Sequence, residues 1–270
     1  MYQLIMNKKI ISIDVGIKNL AYCVLERKDN DFIIKNWDII NILDEKISKV
    51  PKCSNIIKDK QCGKQASNYL VLKTGSSIPL PFPLVIVKDN VKDNVKDKQI
   101  YFCNKITCNK NITKIYPNDK QKTLKIPNAK NTSILELASI LLTKLNSIQS
   151  IILDVDEVII ENQPALKNPT MKSIQMIVFT YFVEHGYNSG SFPIKNIHLF
   201  SAKNKLKLYD GPVVECTKKN PYDKRKYLSV EYTKYYIKDN VEKSLFFNSH
   251  SKKDDLADSF IQGYYYLFKK

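Results

Sequence analysis

KIISIDVGIKNLAYC, residues 9–23, is the stretch on which the fold turns. Its first half sets Ile10, Ile11 and Ile13 around Ser12, a short run rich in β-branched side chains. That pattern reads as a buried strand. Asp14 closes the run, Gly16 permits a tight turn, and a second strand opens at Leu20, so the two pair as a hairpin. A carboxylate at the end of a buried strand is costly without a metal or a hydrogen-bond network. Read alone, Asp14 is equally a turn residue that caps the hairpin.

Two distant stretches repeat the arrangement. EVIIENQP, residues 157–164, is again a β-branched strand that ends in a carboxylate, Glu161. KKDDLADS, residues 252–259, carries Asp254, Asp255 and Asp258 at the start of a helix. Residues three or four apart on a helix share a face, so Asp258 lies beside Asp254 or Asp255. Oxygen ligands of this kind suit Mg²⁺, and two such ions between shared carboxylates make a phosphodiester-cleaving site. Acids in a first helical turn also complement the helix dipole, which is their purely structural reading.

In this order and spacing, IDVGIKNLAY, IIENQP and KKDDLADSFIQG resemble the three acidic motifs of RuvC-like Holliday junction resolvases. The poxvirus and giant-virus branch, related to the fungal mitochondrial resolvases, is the nearest in look. The resemblance covers residues 8–40 and 131–268 and leaves out 44–130. It implies an RNase H-like α/β fold: a mixed five-stranded sheet, strands one to three antiparallel and two more parallel to the first, with helices on both faces. It further implies two Mg²⁺ ions per site, held by Asp14, Glu161, Asp255 and Asp258, with Asp254 as the alternative helix ligand. The implied substrate is the four-way DNA junction, cut by paired nicks from a homodimer. The organisation expected is a nuclease core, 1–43 and 131–270, interrupted by an inserted module, 44–130.

Composition is consistent with that. The chain has 270 residues, a formal charge of +16 and only two arginines, Arg27 and Arg225. A polyanion partner is the functional reading; lysine enrichment from an AT-rich genome is the plain one. Base-edge readout relies on bidentate Arg, so this chain is expected to read phosphates and shape. Lys203, Lys205, Lys207, Lys224, Arg225 and Lys226, with Lys252 and Lys253, are the candidate DNA contacts, interleaved with Tyr209, Tyr222 and Tyr227. No apolar run is long enough to span a bilayer, and no P-loop, Rossmann fingerprint or nucleophile elbow is present. A soluble intracellular protein with no membrane or small-molecule partner is expected, working in a viral factory in the host cytoplasm.

The insertion is rich in Lys, Asp and Asn, and VKDNVKDNVKDK at 87–98 fits neither helix nor strand period. Around that low-complexity loop, Cys53 and Cys62 form one pair, and Cys103 and Cys108 a second. Two pairs suggest a structural Cys₄ zinc site, which a segment so poor in apolar residues needs in order to fold.

Elsewhere, Ser133 and Glu136 form a capping box before a helix at 132–148, and Asn168-Pro169 opens another. Two other functions compete. A transposon-type nuclease would place its zinc knuckle after Glu161. A non-catalytic zinc-containing DNA-binding protein would not need every acid intact.

Overall fold

A computed structural model describes residues 8–43, 50–57, 60–72, 98–125 and 131–269. The repeat at 87–98 lies outside them except for its last residue, Lys98. The chain divides into two compact units, Met1–Ile42 with Ala129–Lys270, and Leu43–Asn128.

The first unit opens with strands β1 (Lys8–Asp14), β2 (Asn19–Lys28) and β3 (Asp31–Asn41), consecutive and antiparallel. Asp29, at φ 53, turns the chain from β2 to β3; aspartate is among the few residues that visit this region routinely.

The second unit interrupts here and has its own small core. A hairpin of β4 (Ile56–Ile57) and β5 (Lys60–Gln61) accompanies a sheet of β6 (Asn68–Leu72), β7 (Lys98–Phe102) and β8 (Lys122–Thr123), in the order β7-β6-β8. Helix α1 (Ile106–Ile115) buries Cys108 and Ile112 among Leu70, Leu72, Ile100 and Phe102. The lysine and asparagine content hid these elements from a reading by periodicity.

The first unit then resumes with helices α2 (Ile134–Ser147) and α3 (Gln149–Ile152), strand β9 (Glu157–Glu161), helix α4 (Pro169–Phe182) and strand β10 (Asn196–Phe200). Both β9 and β10 run parallel to the β1 direction, giving the strand order β10-β9-β1-β2-β3. This is the mixed five-stranded α/β sheet expected.

Side chains alternate across the sheet, so Ile10, Ser12 and Asp14 share one face, as do Ile159 and Glu161. That face is covered by the C-terminal helices α5 (Pro221–Tyr236), α6 (Val241–Ser249) and α7 (Lys253–Phe268). Ile10, Cys23, Leu25 and Ile159 pack with Phe247, Leu256, Phe260 and Ile261. Trp37 stacks on Phe247 with centroids 5.3 Å apart, and its indole N–H donates to the Leu256 carbonyl at 3.1 Å. Gly263 lets α7 approach β1: a Cβ there would stand 2.9 Å from Ser12 Cβ. Gln262 donates to Ser12 Oγ at 3.1 Å and the Ile13 carbonyl at 3.3 Å. These contacts fix the rotation of α7, and hence where its acids point.

The caps read from the sequence form. Ser133 accepts from the Glu136 N–H at 3.2 Å, and Asn168 from the Met171 N–H at 3.1 Å. The apolar face of α2 is narrower than its leucine content suggests. Leu137, Leu141 and Leu145 are buried, whereas Leu135 is 78% exposed, because a stripe at 3.6-residue spacing leaves it on the far side.

Candidate active site

Parallel pairing of β1 with β9 brings the ends of both strands together, and with them Asp14 and Glu161. Glu161 and, more weakly, Asp258 of α7 stand close enough to act on Asp14 electrostatically. Burial, then Glu161, then Asp258 push the Asp14 pKa well above the usual carboxylate range. Ser229 of α5, fully buried, donates to Asp258 Oδ1 at 2.7 Å.

Lys205, in the 3₁₀ turn Ala202–Leu208, enters the same cluster and meets Asp258 at 2.8 Å. Its side chain is 10% exposed. Burial acts to lower the Lys205 pKa, but Asp258, Glu161 and Asp14 together outweigh it and hold the ammonium charged. Lys205 is therefore not the exposed phosphate contact that the basic run suggested.

The other helix acids separate. Asp254 pairs with Lys226 of α5, which depresses its pKa despite burial. Asp255 accepts from Asn19 Nδ2 at 3.3 Å, and burial followed by the neighbouring Asp254 raises its pKa. Asn19 opens β2 from the turn that follows Asp14, so it ties α7 to the strand end. Of the remaining candidate DNA contacts, Lys203, Lys207, Lys224, Arg225 and Lys252 are exposed. Lys226 is committed to Asp254, and Lys253 donates to the His250 carbonyl at 2.9 Å.

A second group of polar residues holds Glu161 from behind. Gln163 Nε2 donates to Glu161 Oε2 at 3.1 Å, and the Gln163 backbone N–H donates to buried Gln175 Oε1 at 2.8 Å. Sequence reading passed over Asn19, Gln163, Gln175 and Ser229. Only Asn19 and Gln163 lie inside the acidic motifs, where proximity was a signal.

The donor set fits divalent cations. Asp14, Glu161 and Asp258 offer hard oxygen ligands whose crowded charge a single ammonium does not balance, whereas Asp255 faces Asn19, Asp254 and Lys226. The four cysteines of the second unit also meet: their sulfurs lie within 4.8 Å of one another. Cys62 and Cys103 sulfurs are 3.8 Å apart, the edge of about 3.8 Å that a tetrahedron with metal–sulfur bonds of about 2.3 Å requires. The backbone of Asn55 acts on Cys53 and that of Lys64 on Cys62, each across a turn of two residues, in the direction that favours the thiolate. Gly63, at φ +62, takes the left-handed conformation within the second of these turns.

A mixed five-stranded sheet in the order β10-β9-β1-β2-β3, with Asp14 and Glu161 at the ends of adjacent parallel strands, is the RNase H-like architecture. A family described as "Mitochondrial resolvase Ydc2 / RNA splicing MRS1", catalytic domain, matches residues 10–165. That is more than half of the chain, and the chain belongs to this family. An uncharacterized protein of Acanthamoeba polyphaga mimivirus is 29% identical, over 96% of this chain and 74% of that protein. The yeast mitochondrial Holliday junction resolvase Ydc2 is similar at a TM-score of 0.47 and 14% identity, over 98% of this chain and 82% of that one. Fowlpox virus resolvase bound to Holliday junction DNA gives a TM-score of 0.44 at 14% identity, over 96% of each chain. Among the described residues, no helix is long and apolar enough to cross a membrane.

Proposed function

We propose that this chain resolves four-way DNA junctions by Mg²⁺-dependent hydrolysis. Asp14, Glu161, Asp255 and Asp258 would hold the two ions. The observation that carries this is the meeting of Asp14, Glu161 and Asp258 at one end of the sheet. The ions would supply an activated water and charge neutralisation at the departing 3′ oxygen. The residues supply the rest. Ser229 and Asn19 hold the helix acids in place, Gln163 orients Glu161, and Lys205 keeps a positive charge where a scissile phosphate must sit. Asp254, bound to Lys226, stays outside the ligand set.

The family's description pairs a resolvase with an RNA-splicing protein. Acids intact at all three motifs favour cutting over binding alone. Two paired nicks would come from a two-fold homodimer. The Cys₄ cluster would hold one structural zinc, as its sulfur spacing supports. The mimivirus relative supports a viral origin, and the place of action would then be where viral DNA is replicated.

The test is cleavage of a synthetic four-way junction with Mg²⁺, with and without Asp14→Asn. Paired nicks in the wild type and none in the variant are expected. Equal cutting by both would remove Asp14 from the mechanism, and absence of cutting by the wild type in Mg²⁺ or Mn²⁺ would overturn the reading.

A further inference from the structure

Positive charge is distributed unequally between the two units. Leu43–Asn128 carries seventeen lysines against seven acids; the rest of the chain carries twenty-six basic residues against twenty acids. The nine lysines among the described side chains of the second unit are all exposed. Biased codon usage raises lysine throughout a chain, so it does not account for acids thinning out in one unit only. In the first unit, Lys8, Lys9, Lys35, Lys195, Lys205, Lys226, Lys234 and Lys243 pair with carboxylates.

Helix α1 organises part of this surface. Its inner face is Cys108 and Ile112. Its outer face, at helical spacing, is Ile106, Asn109, Lys110, Thr113 and Lys114, which with Asn104 and Gln121 line an open groove of about 540 Å³. Ile106 is 74% exposed there. The Thr113 hydroxyl donates to the Asn109 carbonyl at 2.9 Å and Gln121 donates to Thr113 at 3.2 Å, so the lysines are the donors this groove offers, and ammonium groups without a fixed base pattern suit phosphates. Because Cys108 sits in the first turn of α1, the cysteine cluster anchors the helix that presents this face.

We infer that the inserted unit is a second nucleic-acid contact: Lys110 and Lys114 of its helix face, with exposed Lys105 immediately before the helix, grip the phosphate backbone of a duplex arm. The choice of DNA rests on the resolvase reading; the polyanion-binding face does not.

The experiment measures binding of full-length zinc-loaded Asp14→Asn protein to a labelled four-way junction and to linear duplex across a salt series. This is compared with the same protein carrying Lys105→Gln, Lys110→Gln and Lys114→Gln, and with a triple Lys→Arg version. The slope of log affinity against log salt should flatten by about two to three in the Gln protein, about one for each phosphate no longer neutralised. The Arg protein should keep the original slope. Zinc content and melting temperature should match in all three. An unchanged slope in the Gln protein overturns the inference, as does binding to phosphatidylserine vesicles with none to DNA. Should the chain bind with the expected slopes while the wild type cuts no junction, the lysine face stands and the resolvase reading falls.

Discussion

The two units solve the problem of holding charge inside a fold in opposite ways. The sheet unit buries a wide apolar layer, from Ile10 and Leu25 to Phe247 and Phe260, and can carry the cost of crowding Asp14, Glu161 and Asp258 together. The inserted unit has a core of a few side chains, with Cys53, Cys103 and Cys108 among them. Small domains bury too little apolar surface to be secure alone. There the polar cluster is the staple, and in the sheet unit it is the load. Metal removal should therefore unfold one unit and spare the other.

The largest effect expected follows from that contrast. Asp14→Asn should lower junction cutting by more than about 10³-fold, the scale on which preorganised electrostatic contacts act. In metal-free buffer the same variant should melt higher than the wild type by about a few degrees. It removes a buried carboxylate that Glu161 and Asp258 crowd. A lower melting temperature would show that the acid cluster is not a stored cost.

Next is chelation. Structural zinc contributes about 10–16 kcal/mol of apparent binding energy in small domains. A strong chelator, or Cys103→Ser with Cys108→Ser, should abolish a distinct unfolding transition of the inserted unit and leave the sheet unit's own transition in place. Calorimetry reads both. Loss of both transitions together would erase the distinction drawn between the units, and metal analysis finding less than about one zinc per chain would remove the staple.

Smaller again is the support behind the acids. Asn19→Ala should cost about 10–100-fold in cutting or in Mg²⁺ affinity, the range for groups that orient metal ligands. Asp255→Asn should lose far more activity than Asp254→Asn, since Asn19 holds the first at the strand end, and Lys226, 3.9 Å from Asp255, pairs more closely with Asp254. The reverse ranking would mean that α7 is rotated from its place here.

The smallest effect lies at the other end of the sheet. Glu157 meets Lys8 at 2.7 Å and the Tyr266 hydroxyl at 2.6 Å. Burial opposes its charge, but these partners win and lower its pKa below the ordinary 4.5. A depressed carboxylate stabilises the fold above its unfolded pKa, and that stability is lost as pH falls through the folded value. Glu157→Gln should thus cost about 1 kcal/mol at neutral pH, and the difference should vanish in acid below the folded pKa. A gap that persists there would assign the effect to packing.

Local order was legible in the chain because it is enforced locally. β-branched runs made β1 and β9 strands, a two-residue turn joined β2 to β3, and Ser133 and Asn168 announced helix starts through bonds within three residues. The acids at the strand ends and the four cysteines were legible too, since few structural roles call for those residue types at those places. Tertiary structure alone decided how they are used. The rotation of α7 is set by Gly263 against Ser12 and Trp37 against Leu256, contacts more than 200 residues apart in sequence. That rotation sets Asp255 against Asn19 and Asp254 against Lys226. Lys205 stood in a basic run like its neighbours, and only the approach of its turn to Asp258 removed it from the surface. Gln175 and Ser229 carry no sequence signal, because a buried polar residue on a helix is recognisable only once its partner is in place. Distance along the chain says nothing of such pairs; the packing of helices on the sheet brings them together.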